Sequence, residues 1–515
     1  MIRTLPLWGF ILTAVLLCIP ILTHPHLPMV DLPNHIARLH IAANPESVLN
    51  EYYSYVLEFR TNVAVDVLWL SIGQWLSSAE QFSNVMFAVY AVGFLGSIMV
   101  LSRLVHGQWL MWPLVSNLVV FNAVYFWGFE NYLITVAVAL YMLALWLWME
   151  NQPNYIRILV YIPLCMLLYA MHILGLLVLM ATAFGREVQV LIEAKRSWPQ
   201  VLRRNWILSI PFLFPIGIVV YDIICKPPNI YGGAMRFGDL GTRLEVFTAP
   251  VSSIISDWSQ TMNLIGFAIL YVILALLLTL RRKEGARLQF NPRLRGPVIA
   301  LCVLSLFLPD LLNGVAVVHL RFSFILLGVI FAATTWVDLK PKHGAVLFVA
   351  MAVLSVTRAV SVERMTSLHS REITQLISAL DAVPPGSRVL PLRNMKLNPS
   401  PRLWHMQAYA VSEADSFIPT LFIGTHNLHL REEWWDSAKA IERSTPGFLL
   451  LDPPRIRKSR SSLQNWTYLY DWEQKFTHVL TLNTMEEGYF DEMPVHLIKS
   501  EGIFSLYEVE YVPSN

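Results

Sequence analysis

The residues best placed to do chemistry lie in the stretch Val30-Asp31-Leu32-Pro33-Asn34-His35-Ile36-Ala37-Arg38-Leu39-His40. Pro33 suits a first helical turn and Asp31 the N-cap before it, so Asp31 and His35, four residues apart, share one face. A carboxylate held at a lipid–water boundary can take the proton of an acceptor hydroxyl. Desolvation there lifts its pKa toward neutrality, and a neighbouring His or metal ion opposes the lift. The plainer alternative is that Asp31 caps an interfacial helix and His35 pairs with it.

Phe126-Trp127-Gly128-Phe129-Glu130-Asn131-Tyr132 puts a second carboxylate in a turn between two apolar segments. A helix-starting acid among interfacial aromatics explains that pattern equally well. Taken together, Asp31 and Glu130 read as a hydroxyl-binding pair or a divalent-cation site, and oxygen-only ligation favours Mg2+ or Mn2+. The cationic turn Val318-His319-Leu320-Arg321-Phe322 adds a guanidinium suited to phosphate and an imidazole able to protonate or hydrogen-bond a leaving oxygen. Its alternative is an arginine snorkelling to lipid head groups. Lys226, Arg236 and Arg243, in the loop after Cys225, are further phosphate donors unless simply solvated. His172, inside an apolar stretch, reads with Tyr231 as cavity-lining, because ionisable groups at membrane depth face a cavity or a partner. Asp310, followed by Asn313, reads as the cap of a break near Pro309.

Composition says what must position these groups. The 515 residues are 55% hydrophobic and only 14% charged, with a mean hydropathy of +0.50; ordinary globular chains are about 25% charged. Residues 1–360 hold 23 Lys and Arg and 17 Asp and Glu, against 15 and 19 in residues 361–515. The first part is therefore lipid-solvated and the second water-solvated, which excludes a cytosolic enzyme and a purely embedded transporter core. A net charge of +2 leaves neither part basic enough for nucleic acid. Cys18, Cys165, Cys225 and Cys302 offer neither a disulfide framework nor zinc spacing.

Spans of about 20 apolar residues are expected at 5–22, 84–104, 110–127, 132–149, 206–224, 262–280, 297–318, 322–336 and 345–360. The stretch 155–184 divides into two short helices at His172, and 62–76, broken by Asp66 and Gln74, stays outside, for about eleven spans in all. Lys and Arg concentrate on cytoplasmic loops, which puts 185–205 and 281–295 inside, the N-terminus inside and everything after Val360 outside. The loop 23–83, the turns 128–131 and 318–321, the loop 225–261 and residues 361–515 then share the outer face. The expected domains are a membrane part, 1–360, and an extracytoplasmic α/β domain, 361–515. In the latter a helix at 370–382 precedes strands at 388–392, 447–451, 478–482 and 504–509. Asn465-Trp466-Thr467 is a glycosylation sequon with meaning only in a eukaryotic secretory host.

An acid in a long first outer loop (Asp31 in VDLPNHIAR), a second in the next outer loop (Glu130 in WGFENY), a basic outer turn (VVHLRF) and a C-terminal outer domain make the chain resemble the GT-C superfamily of polytopic glycosyltransferases. That superfamily includes oligosaccharyltransferases, protein O-mannosyltransferases and aminoarabinose transferases. The resemblance implies a GT-C-like helical membrane fold and a polyprenyl-phosphate-linked sugar donor taken from the lipid bilayer. It implies inverting transfer to a glycan, lipid or protein hydroxyl on the outer face of a bacterial inner membrane. Asp31 would be the general base, His35 and Glu130 would orient the acceptor or hold a cation, and His319 and Arg321 would stabilise the departing lipid phosphate. Glu130 stands as a single acid where some members carry a pair. Other classes stay open: a lipid-linked phosphotransferase or glycan ligase, a transporter or flippase of lipid-linked sugars, and a non-catalytic envelope scaffold.

Overall fold

The computed structural model describes residues 5–195, 197–225, 235–253, 258–312, 315–394, 401–423, 427–438, 467–469, 471–485, 487–491 and 493–510. Lys226, Tyr231, Asn313, Asn465 and the strand expected at 447–451 lie outside the described residues. Within them the chain is a polytopic helical protein carrying a C-terminal sheet. Seven helices are long and apolar enough to cross a membrane: Leu5–Leu22, Ala79–His106, Glu130–Trp148, Asn154–Met171, Ile173–Glu193, Gln260–Lys283 and Pro341–Leu380. Three shorter apolar helical segments, Trp112–Trp127, Trp206–Asp222 and His319–Ala333, stand among them.

The helices Ala79–His106 and Glu130–Trp148 form the most extensive pair, and Leu5–Leu22 packs on the first of them and on Pro341–Leu380. Ile173–Glu193 packs on Arg295–Phe307, where Gly185 and Gly296 touch backbone to backbone, so that a Cβ on either would overlap the other. Small residues of this kind let apolar helices approach closely in lipid.

Several expected spans are reshaped by local sequence. The 110–127 segment is a 3-10 helix, Trp112–Val119, followed by the short helix Ala123–Trp127. Asn122 supplies the break, since its side chain accepts from the Tyr125 N–H. The 297–318 segment is helical only over Arg295–Phe307 and then turns into a small antiparallel hairpin, Leu311–Leu312 with Val315–Ala316. The segment 62–76 forms a helix of about two turns, Ala64–Ser71, and a 3-10 turn, Gly73–Trp75. The division of 155–184 occurs at His172, which ends Asn154–Met171 and begins Ile173–Glu193.

The expected boundary at residue 360 falls inside one continuous helix, Pro341–Leu380, which takes in most of the separate helix expected at 370–382. No Gly or Pro interrupts this helix between Ala345 and Leu380, and such a run has no reason to break. Beyond it a four-stranded sheet has the order Val495–Glu501, Phe504–Val509, His478–Thr481, Val389–Leu392. The first two pairings are antiparallel and the last parallel. A second, two-stranded ladder pairs Tyr53–Tyr55 with Leu428–Leu430, Tyr53 opposite Leu430. It stitches the first loop to the C-terminal region.

Candidate functional site

Two sequence-distant turns are clasped by their backbones. The N–H of Val30 donates to Phe126 O (3.1 Å) and that of Asp31 to Trp127 O (3.0 Å). Gly128 makes the approach possible: its φ is +80°, and a Cβ there would stand 3.0 Å from Leu32 N and 3.1 Å from Met29 Cβ. The clasp brings the VDLPNH and WGFENY segments, read separately in the sequence, to one place.

Asp31 occupies the N-cap position of the helix Leu32–Ala43, but its side chain makes no capping bond. The carboxylate faces His405 instead, with Oδ1 3.5 Å from the ring Nε2, and lies in the field of Arg321. Burial raises its pKa to about 7 against the opposing pull of Arg321. The capping alternative therefore fails, because the group is turned inward to where its charge costs most.

His35 is not the ion partner of Asp31. Its Nδ1 lies 2.8 Å from Arg38 Nη1, and Arg38 in turn donates through Nε (3.1 Å) and Nη2 (2.8 Å) to Asp66 Oδ1. Tyr55 donates to the other oxygen of Asp66 at 2.9 Å. Since a guanidinium keeps its protons, Nδ1 of His35 must accept, which places the ring proton on Nε2. Burial first, then Arg38 and His405, pushes the His35 pKa well below its usual value, so the ring is neutral.

Arg321 is buried, with its guanidinium 3.9 Å over the Phe129 ring and 5.5 Å from that of Tyr132. It donates through Nη2 to Ala316 O (3.0 Å), and its own carbonyl accepts from the Tyr132 hydroxyl. It faces inward, against the snorkelling alternative. His319 is buried beside it with neither ring nitrogen hydrogen-bonded among the described residues, and Glu245 Oε2 is 3.9 Å away. His172 accepts from the Leu174 N–H at 3.0 Å and meets the Tyr132 ring edge-on at 5.2 Å, so it borders the same cluster.

No family model matches the chain, and no curated protein does. Among solved structures, the crystal structure of ArnT from Cupriavidus metallidurans in the apo state is similar over 97% of each chain, at 12% identity and a TM-score of 0.47.

The remaining sequence candidates divide. Glu130 is 1% exposed, and neither carboxylate oxygen meets hydrogen-bond geometry among the described residues; after burial, the influences on it are Arg38, the nearby Ser83 hydroxyl and Asp66. Asp31 lies in the field of Arg321 and Glu130 in that of Arg38. Among the described residues no group of three His, Cys, Asp or Glu side chains gathers to hold a metal ion. Arg236 is 71% exposed and committed to Asp310 at 2.7 Å, while Arg243 donates to Leu308 O. Asp310, expected as a cap, is thus an ion-pair partner.

His405, Arg38 and Asp66 are the residues of this site that sequence reasoning passed over. Asp66 left a trace, as an acid inside an apolar stretch that must find a cation. His405 left none.

Proposed function

We propose that the protein is a membrane glycosyltransferase of the GT-C type, moving a sugar from a polyprenyl-phosphate-linked donor to an acceptor hydroxyl. The observation that carries this is Asp31: an uncapped carboxylate only 14% exposed, with a pKa lifted to about 7, in the field of an inward-facing arginine where segments expected on one face meet. A general base works best with a pKa near the working pH.

In this reading the acceptor oxygen attacks the anomeric carbon while Asp31 takes the hydroxyl proton. As the new C–O bond forms, the bond from the anomeric carbon to the phosphate oxygen breaks and its electron pair stays on the lipid phosphate. Arg321 stabilises that growing charge and His319 donates a hydrogen bond to it, which a dry, preorganised site makes effective. Arg321 is held by Phe129, Tyr132 and Ala316, so little reorganisation is needed. His35, locked as an Nε2–H donor, orients the acceptor side and takes no proton.

The test is mass spectrometry of lipids retained by purified wild-type protein and by Asp31→Asn. A polyprenyl-phosphate sugar enriched in the variant is expected. Absence of any such lipid from both forms, together with solute movement in sealed vesicles, would replace this reading by a transporter.

A further inference from the structure

His405 reaches Asp31 from the far side of the chain. It sits between the 3-10 turns Pro401–Leu403 and Met406–Ala408. Its neighbour Trp404 meets Trp127 at 5.8 Å, in an edge-to-face contact. The His405 ring lies edge-on to Phe422 at 4.8 Å, and Phe422 is fixed in turn by its N–H donating to Asn34 Oδ1 at 3.2 Å. One short C-terminal segment thus roofs the Asp31 helix, touching it at Asn34 and Asp31 and the facing turn at Trp127.

We propose that His405 is a positioning residue for Asp31: an imidazole whose Nε2–H donates to Oδ1, so that the C-terminal region orients the carboxylate and tunes the pH at which it ionises. The proposal rests on Asp31 being the working carboxylate. A hydrogen bond to the charged form favours that form, which offsets part of the burial that pushes Asp31 upward. The 3.5 Å separation is long for a finished bond, as such contacts commonly are before substrate arrives. Among the described residues several other charges surround the pair, including Arg393 over the Trp404 ring at 5.8 Å and Arg402 in the turn before His405. Arg321 faces Asp31 from the turn His319–Arg321. His35, on the Asp31 helix, is held neutral by burial and by Arg38 and feels His405. Glu130 answers to Arg38, Ser83 and Asp66, and His172 to Arg321. Among the described residues His405 is thus a titratable side chain in contact with Asp31 whose removal leaves Arg321 in place.

The full-length protein in detergent serves for the test, with dicyclohexylcarbodiimide as the probe. The reagent adds the O–H of a protonated carboxyl across its C=N bond and leaves a carboxylate untouched. Peptide mass spectrometry then gives the labelled fraction of Asp31 against pH, and Asp31→Asn identifies the signal. The wild-type midpoint is expected near the value of about 7. His405→Phe keeps a ring against Phe422 but removes the donor, and should raise the midpoint by roughly one pH unit; His405→Gln, which restores a donor, should stay within a few tenths. An unmoved midpoint in His405→Phe overturns the proposal, as does an equal shift in His405→Gln. Should His405→Phe fail to fold, His405→Ala is read in the same way. Labelling requires no sugar donor, so failure of the transferase reading would show in the lipid analysis and leave this result standing.

Discussion

At the Trp148 end of the helix Glu130–Trp148, Glu150 accepts from Arg186 (2.7 Å) and Arg293 (3.1 Å). Beside it, Glu187 accepts from Arg157 (2.6 Å) and the Trp146 indole (3.0 Å). At the Glu130 end, about 28 Å away along 19 residues, Glu130 has no such partner among the described residues, and Asp31 has an imidazole at 3.5 Å. Both ends bury carboxylates in a chain poor in charge. One end closes Glu150 and Glu187 with guanidinium groups, which is what holding a fold requires. The other pairs Asp66 with Arg38 but, among the described residues, leaves Asp31 and Glu130 without a guanidinium bond and Arg321 stacked on aromatic rings, an arrangement that costs stability and marks that end as the candidate site.

That contrast can be broken most forcefully by Asp31→Asn. Loss of transfer by about 10²–10⁴-fold is expected, the range of general-base catalysis, with expression and helix content unchanged; retained transfer would make the under-paired end as structural as the other. Next is Arg157→Leu, which strips the guanidinium from buried Glu187. It should cost about 3–5 kcal/mol in thermal unfolding, and adding Glu187→Leu should recover most of it. A transfer defect beyond the loss of folded protein would argue against a purely structural end.

Gly128→Val strains a positive φ and pushes into Leu32 and Met29, for an expected cost of about 1–3 kcal/mol and a transfer defect through the displaced clasp. A subtler effect sharpens the comparison through pH. The native state holds the Asp31 proton between about pH 4, where the unfolded chain releases it, and about pH 7. Its contribution to stability is therefore lost as pH rises across that window. Asp31→Asn should consequently melt higher than wild type above pH 7 and nearly with it at pH 4, in scans at both pH values. Smallest is Arg236→Ala: with Arg236 71% exposed, the Asp310 pair should contribute less than about 1 kcal/mol, seen as a near-unchanged melting temperature.

Much of this was legible in the residues. Asp31, His35 and Glu130 announced themselves as polar groups beside apolar runs, and the break at His172 followed from a stretch too long for one helix and short for two. The strands at 389–392, 478–481 and 504–509 showed as short β-branched or aromatic runs. The strand Val495–Glu501 was not visible, because Lys499 and Ser500 break its alternation. Nor was the unbroken helix Pro341–Leu380, since a fall in hydropathy looks like a boundary whether or not the helix ends.

What the sequence determined by itself is the solvent of each part and the places where a buried charge would need a reason, because apolar length and charge density are local properties that the bilayer reads directly. Only the tertiary structure decided which charges meet. The Asp31–His405 contact, the Arg38–Asp66 lock on His35 and the clasp of Gly128 against Leu32 all join segments distant in the chain. Their geometry arises from packing, and no spacing within one segment encodes it.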